Sequence, residues 1–269
     1  MTDSTRFVIP GKDTKLITGD RIPGEDRQLL FITGFLSKRW GAKSKALAES
    51  CRTRQWGFCC FDFRGNGDSN GAFTDYTLQD WLDDARLVLK MIQDGPPVTI
   101  IGSSLGGWLA WILGQEFEQV KKLVLLAPAF NMMGKHAQDI PDSRRNDWQR
   151  TGWMPWADDP LHKNFPLSWK WVEESQALWE QRFQTLRRVP TTILHGLQDD
   201  VIVPKNSWAF TEELLTQDPE YPIELLLKTG DHRFSSPSNL ETFLELATQI
   251  PEYGKRAEQP PTTSSHDIS

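Results

Sequence analysis

The chain has 269 residues, 38% hydrophobic and 25% charged, with 30 basic against 36 acidic side chains and a formal net charge of −6. That length suits one large domain, or a domain with a small insertion, whose core needs no disulfide or structural metal. The acidic balance argues against a nucleic-acid partner, which calls for clustered positive charge. Cys51, Cys59 and Cys60 are odd in number and two are adjacent, which is neither a disulfide framework nor zinc-ligand spacing. Met1–Arg6 lacks the basic and apolar regions of a signal peptide, and no stretch approaches the roughly 18 apolar residues of a membrane span. A cytoplasmic, reduced setting is the expectation.

In chain order, Arg6–Ile9 and Lys15–Ile17 read as an antiparallel edge. Leu29–Ile32 reads as a buried strand, followed by a helix through Ser44–Cys51, a strand at Phe58–Asp62 and a helix over Leu78–Ile92. Val98–Ile101 is a β-branched strand, Leu105–Leu113 a helix, and Val120–Leu126 another strand. Thr191–Leu194 and Ile223–Leu227 add two strands, each with a helix behind it. Continuously apolar strands alternating with helices imply an α/β fold, a mostly parallel sheet covered on both faces.

The alternation stops between Ala129 and Arg188. Trp148, Trp153, Trp156, Trp169, Trp171 and Trp179 gather there, punctuated by Pro141, Pro155, Pro160 and Pro166. A structureless loop of that length is improbable inside a compact domain, so residues 130–188 are expected to form an inserted lid. The core is then 1–129 with 189–257, and the polar, Pro-rich 258–269 is expected to be disordered.

Gly102-Ser103-Ser104-Leu105-Gly106 matches G-x-S-x-G between a strand and a helix, the context in which that motif presents a nucleophilic serine on a sharp turn. The glycine spacing puts Ser104 at the tip and leaves Ser103 at the strand end. A serine hydroxyl needs an adjacent base, and in this arrangement an acid and then a histidine follow the serine along the chain. His232 lies in the loop after the last predicted strand and is the candidate base. His136 and His162 fall in the insertion, where packing or surface roles are expected, and His195 reads as a structural histidine beside the Gly196 turn. The acid follows the preceding strand: Asp199 is favoured by its spacing from His195-Gly196, with Asp200 as the alternative. Backbone N–H groups of Leu105 and of Phe35, after the Gly34 turn, are the candidate oxyanion donors. Asp62-Phe-Arg-Gly-Asn-Gly-Asp-Ser69 lacks the Lys-Ser/Thr ending of a phosphate loop and reads as a shaped turn at the site rim, with Arg64 a candidate pocket residue.

Asp62–Ser69, Gly102–Trp108, His195–Asp200 and Gly230–Arg233, with Trp81 and Ser235-Ser-Pro237, resemble the α/β-hydrolase superfamily over roughly residues 27 to 248. More narrowly they are similar to a branch of bacterial carboxylesterases and a mitochondrial palmitoyl-protein thioesterase that also cleaves acyl glucuronides. The resemblance implies the α/β-hydrolase fold, the triad Ser104, Asp199 and His232, and oxyanion donors at Phe35 and Leu105. Thr33-Gly34 departs from the more common His-Gly, Val203 stands where proline is common, and no mitochondrial targeting segment is evident.

The expected activity is hydrolysis of a small ester or thioester with a short to medium or aromatic acyl group, with no cofactor or metal required. Trp153, Trp156 and Met132 are candidate substrate contacts. Two other readings share the fold. A proline-specific aminopeptidase would need a carboxylate for the substrate amine, for which Asp158, Asp159, Glu173 and Glu174 are available. A ligand receptor could keep the triad without turnover.

Overall fold

Strands covered on both faces must be apolar at every position, whereas edge strands alternate. The computed structural model, which describes residues 4–155 and 166–249, follows that rule. Strands β3 (Gln28–Ile32), β4 (Gly57–Asp62), β5 (Val98–Ser103) and β9 (Thr191–Gly196) are buried throughout. β6 (Val120–Leu126) exposes one residue, while the edges β1 (Thr5–Pro10) and β10 (Ile223–Lys228) are half exposed. With β2 (Leu16–Ile22) they form one sheet in the order β1-β2-β4-β3-β5-β6-β9-β10. β1 and β2 pair antiparallel, β2 joins β4 antiparallel, and every other pairing is parallel.

The two-residue period of the strands divides their side chains between two cores. Leu29, Phe31, Phe58, Cys60, Ile101 and Leu194 face α1 (Ala42–Arg54) and α8 (Pro237–Thr248). Leu30, Ile32, Cys59, Phe61, Ile100 and Ile193 face the opposite way, toward α2 (Leu78–Met91), α3 (Leu105–Glu116) and α7 (Lys205–Gln217). α3 is apolar almost all round because it lies beneath the sheet on one side and further helices on the other.

Between β6 and β9 the described residues form α4 (Met132–Asp139), α5 (Asp142–Thr151), a hairpin of β7 (Trp153–Pro155) with β8 (Pro166–Ser168), and α6 (Lys170–Glu180). Trp148, Met154, Leu167 and Trp171 of this segment belong to the same apolar cluster as α2 and α3, so it has no separate core. Trp156, Asp158, Asp159 and His162, and the tail at 258–269, lie outside the described residues. No helix among the described residues is long and apolar enough to cross a membrane.

Parallel register brings the carboxyl ends of the central strands to one edge. Ile32 is level with Gly102, Leu126 with both Ser103 and Leu194, and Gly196 with Lys228. The turns that leave these ends therefore converge, which is where open α/β sheets bind ligands.

Candidate active site

Ser104 is the residue between β5 and α3, at φ 56° and ψ −122°, a region that non-glycine residues seldom occupy. The flanking glycines make the turn possible. A Cβ at Gly102 would overlap the Gly106 carbonyl, and one at Gly106 would overlap the carbonyls of Ile32 and Thr33. The Ser104 N–H donates to Leu126 O at 2.8 Å and its carbonyl accepts from Ala129 N at 3.0 Å, fixing the turn to the end of β6. Leu105 opens α3, so its N–H has no carbonyl one turn earlier in the helix to bond.

His232 comes from the turn after β10, with Nε2 3.2 Å from Ser104 Oγ and Nδ1 2.8 Å from Asp199 Oδ2. Asp199 comes from the turn after β9. It is buried, and its Oδ1 accepts from the N–H groups of Val201 at 3.0 Å and Ile202 at 2.8 Å. Burial pushes its carboxyl pKa up, but His195, His232 and the Ile202 N–H together outweigh that and hold it well below the usual carboxylate range. The two turns are tied to each other: Leu197 N donates to Lys228 O, Gln198 N to Gly230 O, and Gly230 N to Gln198 Oε1.

The loop after β3 passes beside the serine. A Cβ at Gly34 would lie 3.0 Å from Ser104 Cβ, so any larger residue would crowd this approach. Phe35 follows, its ring edge-on to Phe73 and Trp171 at 5.7 and 5.4 Å between centroids. The loop is held from outside: Asn66 Nδ2 donates to Ser37 O at 2.6 Å and Arg39 N to Asp62 Oδ1 at 2.6 Å. The Arg39 guanidinium is buried among Asp62, Asp20 and Asp68. A cavity of about 540 Å³ opens over Ser104 and His232, with Phe31, Phe35, Met132 and Val201 on its walls and Lys43 and Arg233 at its rim. Lys43 Nζ donates to the Arg233 carbonyl at 2.6 Å, joining α1 to the turn that holds His232.

The family model described as the alpha/beta hydrolase family matches residues 29–251. The chain belongs to this family. Among curated relatives, this hydrolase is 25% identical over 226 residues to the mouse protein named mitochondrial palmitoyl-protein thioesterase ABHD10, covering 83% of this chain and 75% of the relative. Its human counterpart is 25% identical over 223 residues, covering 82% and 72%. The solved mouse protein superposes with a TM-score of 0.75 at 23% identity, covering 89% of this chain and 95% of that one. A putative hydrolase from Agrobacterium vitis S4 gives 0.78 at 24% identity, covering 91% and 97%. Est1E from Butyrivibrio proteoclasticus, bound to ferulic acid, gives 0.71 at 20% identity, covering 90% and 96%. These likenesses to solved structures establish the α/β-hydrolase fold.

Within this hydrolase the residues singled out from sequence separate into two groups. Ser104, His232 and Asp199 are brought together, while Asp200 is exposed beside the cavity and makes no hydrogen bond with His232. Phe35 and Met132 line the cavity, and Leu105 sits beneath Ser104 at the start of α3. Arg64 does not line it, contrary to expectation. Its side chain is 1% exposed, bonded through Nε to Asp84 at 2.6 Å and through Nη1 to Asp13 at 2.6 Å, because a buried guanidinium must find carboxylates. Trp153 is also placed elsewhere: it is 45% exposed on β7 and lines a second cleft with Thr74, Trp169 and Glu173. Glu174 is engaged as a cap on α2, accepting from Thr77 Oγ1 at 3.0 Å and Gln79 N at 2.8 Å. The His136 ring packs beside Trp148. Sequence reasoning missed the hold of Arg39, Asp62 and Asn66 on the Phe35 loop, and the partners of His195. The hold on the loop joins residues 23 to 29 positions apart, and the partners of His195 lie 4 to 12 residues on, across the turn after β9, so no local pattern signals either.

Proposed function

We propose that this chain is a serine hydrolase of carboxylic esters or thioesters. Ser104 is the nucleophile, His232 the general base and Asp199 the residue that orients the imidazole. Ser104 Oγ attacks the acyl carbonyl as His232 Nε2 takes its proton, and the N–H groups of Phe35 and Leu105 receive the oxyanion. Collapse of the tetrahedral intermediate expels the alcohol or thiol, which leaves with the proton from His232. Water then repeats the sequence on the acyl-enzyme and regenerates Ser104. The observation that carries this reading is the unbroken line of contacts from Ser104 Oγ through both nitrogens of His232 to Asp199 Oδ2.

The substrate class follows from the cavity. Its volume falls within the range of small-molecule sites, and walls of Phe31, Phe35, Met132 and Val201 suit a short to medium or aromatic acyl group. The names of the relatives, a palmitoyl-protein thioesterase and Est1E with ferulic acid bound, agree with that class. We read the α4–α6 segment as the lid over this site. The aminopeptidase alternative is weakened because Glu174 is already bonded to the start of α2. Three buried free thiols suit a reduced compartment such as the cytoplasm.

The test is hydrolysis of p-nitrophenyl esters and thioesters of increasing acyl length by the wild type and by Ser104→Ala. Turnover that vanishes in the variant, with a preference for short to medium or aromatic acyl groups, is the expected result. A folded wild type inactive on every ester and thioester would overturn the reading and bring the receptor and peptidase alternatives forward.

A further inference from the structure

The turn that presents Asp199 is held in an unusual way. Leu197, Val201 and Val203 are 53%, 63% and 49% exposed, so packing does little to fix it. Of its apolar residues, Ile202 alone points inward. The position of the carboxylate therefore depends on hydrogen bonds, and a side chain outside the triad adds two contacts, one to the backbone of the turn and one to the carboxylate. His195, one residue before the end of β9, is 0% exposed. Its Nε2 lies 2.7 Å from Ile202 O and 3.2 Å from Asp199 Oδ2, and its Nδ1 lies 2.8 Å from the hydroxyl of Ser207, itself fully buried in the first turn of α7.

The direction of these bonds follows from the groups available. A backbone carbonyl can only accept, so His195 Nε2 carries a proton and donates to Ile202 O, with Asp199 Oδ2 as its second, longer contact. In the neutral ring Nδ1 then accepts, and the Ser207 hydroxyl donates to it. Asp199 is consequently gripped on both oxygens: Oδ1 by the Val201 and Ile202 N–H groups, Oδ2 by His195 behind and His232 in front.

We infer that His195 and Ser207 are positioning residues of the active site, a second serine–histidine pair that holds the triad acid from behind. Their effect reaches Ser104 through Asp199 and His232, so it bears on the chemical step, and neither residue lines the substrate cavity. The claim rests on the esterase reading above, and the experiment separates the two.

The variants are His195→Gln, His195→Asn and Ser207→Ala, assayed for kcat and KM on the best p-nitrophenyl ester, with melting temperatures measured alongside. Glutamine can place an N–H near the position of Nε2, whereas asparagine reaches only the Nδ1 side. His195→Asn is expected to lower kcat by on the order of 10²-fold, the scale of a small misplacement of a catalytic group, with KM little changed. His195→Gln should recover most of that loss although its melting temperature falls as well. Ser207→Ala should lower kcat in the same direction by less. Equal losses in the Gln and Asn variants, a change in KM alone, or no change in kcat in either would overturn the proposal. Were the wild type itself to hydrolyse no ester, the functional reading would fail instead. The positioning claim is then decided by the downfield proton resonance of the His232 Nδ1–H to Asp199 bond. It should shift in His195→Asn and hold in His195→Gln, and an unmoved resonance in both would refute it.

Discussion

At Ser104 the backbone sits where a side chain costs on the order of 1–3 kcal/mol, and the surroundings leave it no alternative. Its N–H is bound to Leu126 O, α3 starts immediately after it, and the Gly102 and Gly106 positions have no room for a methyl group. Gly34 closes the same constriction from the other side. Gly34→Ala would place a Cβ 3.0 Å from Ser104 Cβ and 3.2 Å from Ser103 O, so the loop before Phe35 must retreat. We expect the protein to stay folded while kcat on p-nitrophenyl esters falls by on the order of 10²-fold, because the Phe35 N–H moves with the loop. Circular dichroism and steady-state kinetics check this, and an unchanged kcat would show that the loop yields without disturbing the donors. The steric demands explain why this part of the site was legible in the sequence. A serine between two glycines records a backbone constraint directly in residue type. Arg64 misled for the opposite reason: an arginine in a glycine-rich turn looks available for a ligand, and only the fold reveals Asp13 and Asp84 waiting for it.

Among the elements, the connection from β4 to α2 does more than shape the rim of the site. Asp62 accepts the Arg39 backbone N–H and its guanidinium, and the Asp68 N–H at 3.0 Å, while Asn66 holds Ser37 O. This connection clamps the loop that leaves β3. Its parts are expected to differ in what they disturb. Asp62→Ala removes one of the three carboxylates around the buried Arg39 guanidinium and the acceptor of the Arg39 and Asp68 N–H groups, and should lower the unfolding free energy by about 2–3 kcal/mol. Asn66→Ala removes two exposed hydrogen bonds, to Ser37 O on the outer side of the loop and from Gly67 N, and should cost about 1 kcal/mol of stability, yet slow turnover at little-changed KM. Urea denaturation and steady-state kinetics on both variants check the contrast, and an Asn66→Ala enzyme with full kcat would remove the clamp from the catalytic account. The clamp was illegible because it joins positions far apart in the chain. The parallel strands were legible to within two residues, since burial on both faces leaves unbroken apolar runs such as Val98–Ile101, whereas β2 runs five residues past the expected end at Ile17. The segment from 130 to 188 gave no such pattern. α5 is a polar helix with Trp148 as its one buried residue, held by a hydrogen bond from Trp148 Nε1 to Leu167 O, and a single anchor has no periodicity to read.

For the whole molecule, the three thiols couple folding to alkaline pH. Cys51, Cys59 and Cys60 are fully buried, and burial pushes the thiols of Cys51 and Cys59 up to about 12 and that of Cys60 higher still. In the unfolded chain a thiol titrates near 8.5. Folded pKa values above the unfolded one mean that this stabilisation is intact below about pH 8.5 and is lost as pH rises toward the folded values. Each thiol then removes about 1.4 kcal/mol of stability per pH unit. Lys122 opposes one of the three. Burial lowers its ammonium to about 8 while it donates to Leu246 O and Gln249 O at the end of α8, so its contribution makes stability rise between about pH 8 and 10.4. From these four groups alone the expectation between pH 9 and 10 is a fall of about 3 kcal/mol per pH unit. Urea midpoints measured under reducing conditions across that window test it. Cys51→Ala should start from lower stability at pH 7.5, by about 1 kcal/mol for the small cavity, and then lose about 1.4 kcal/mol less per pH unit than the wild type. The offset and the slope have different origins, packing in one case and proton release in the other. A variant with the offset but an unaltered slope would mean that the Cys51 thiol ionises without unfolding, and that the apolar face beneath α1 opens to solvent in the native state.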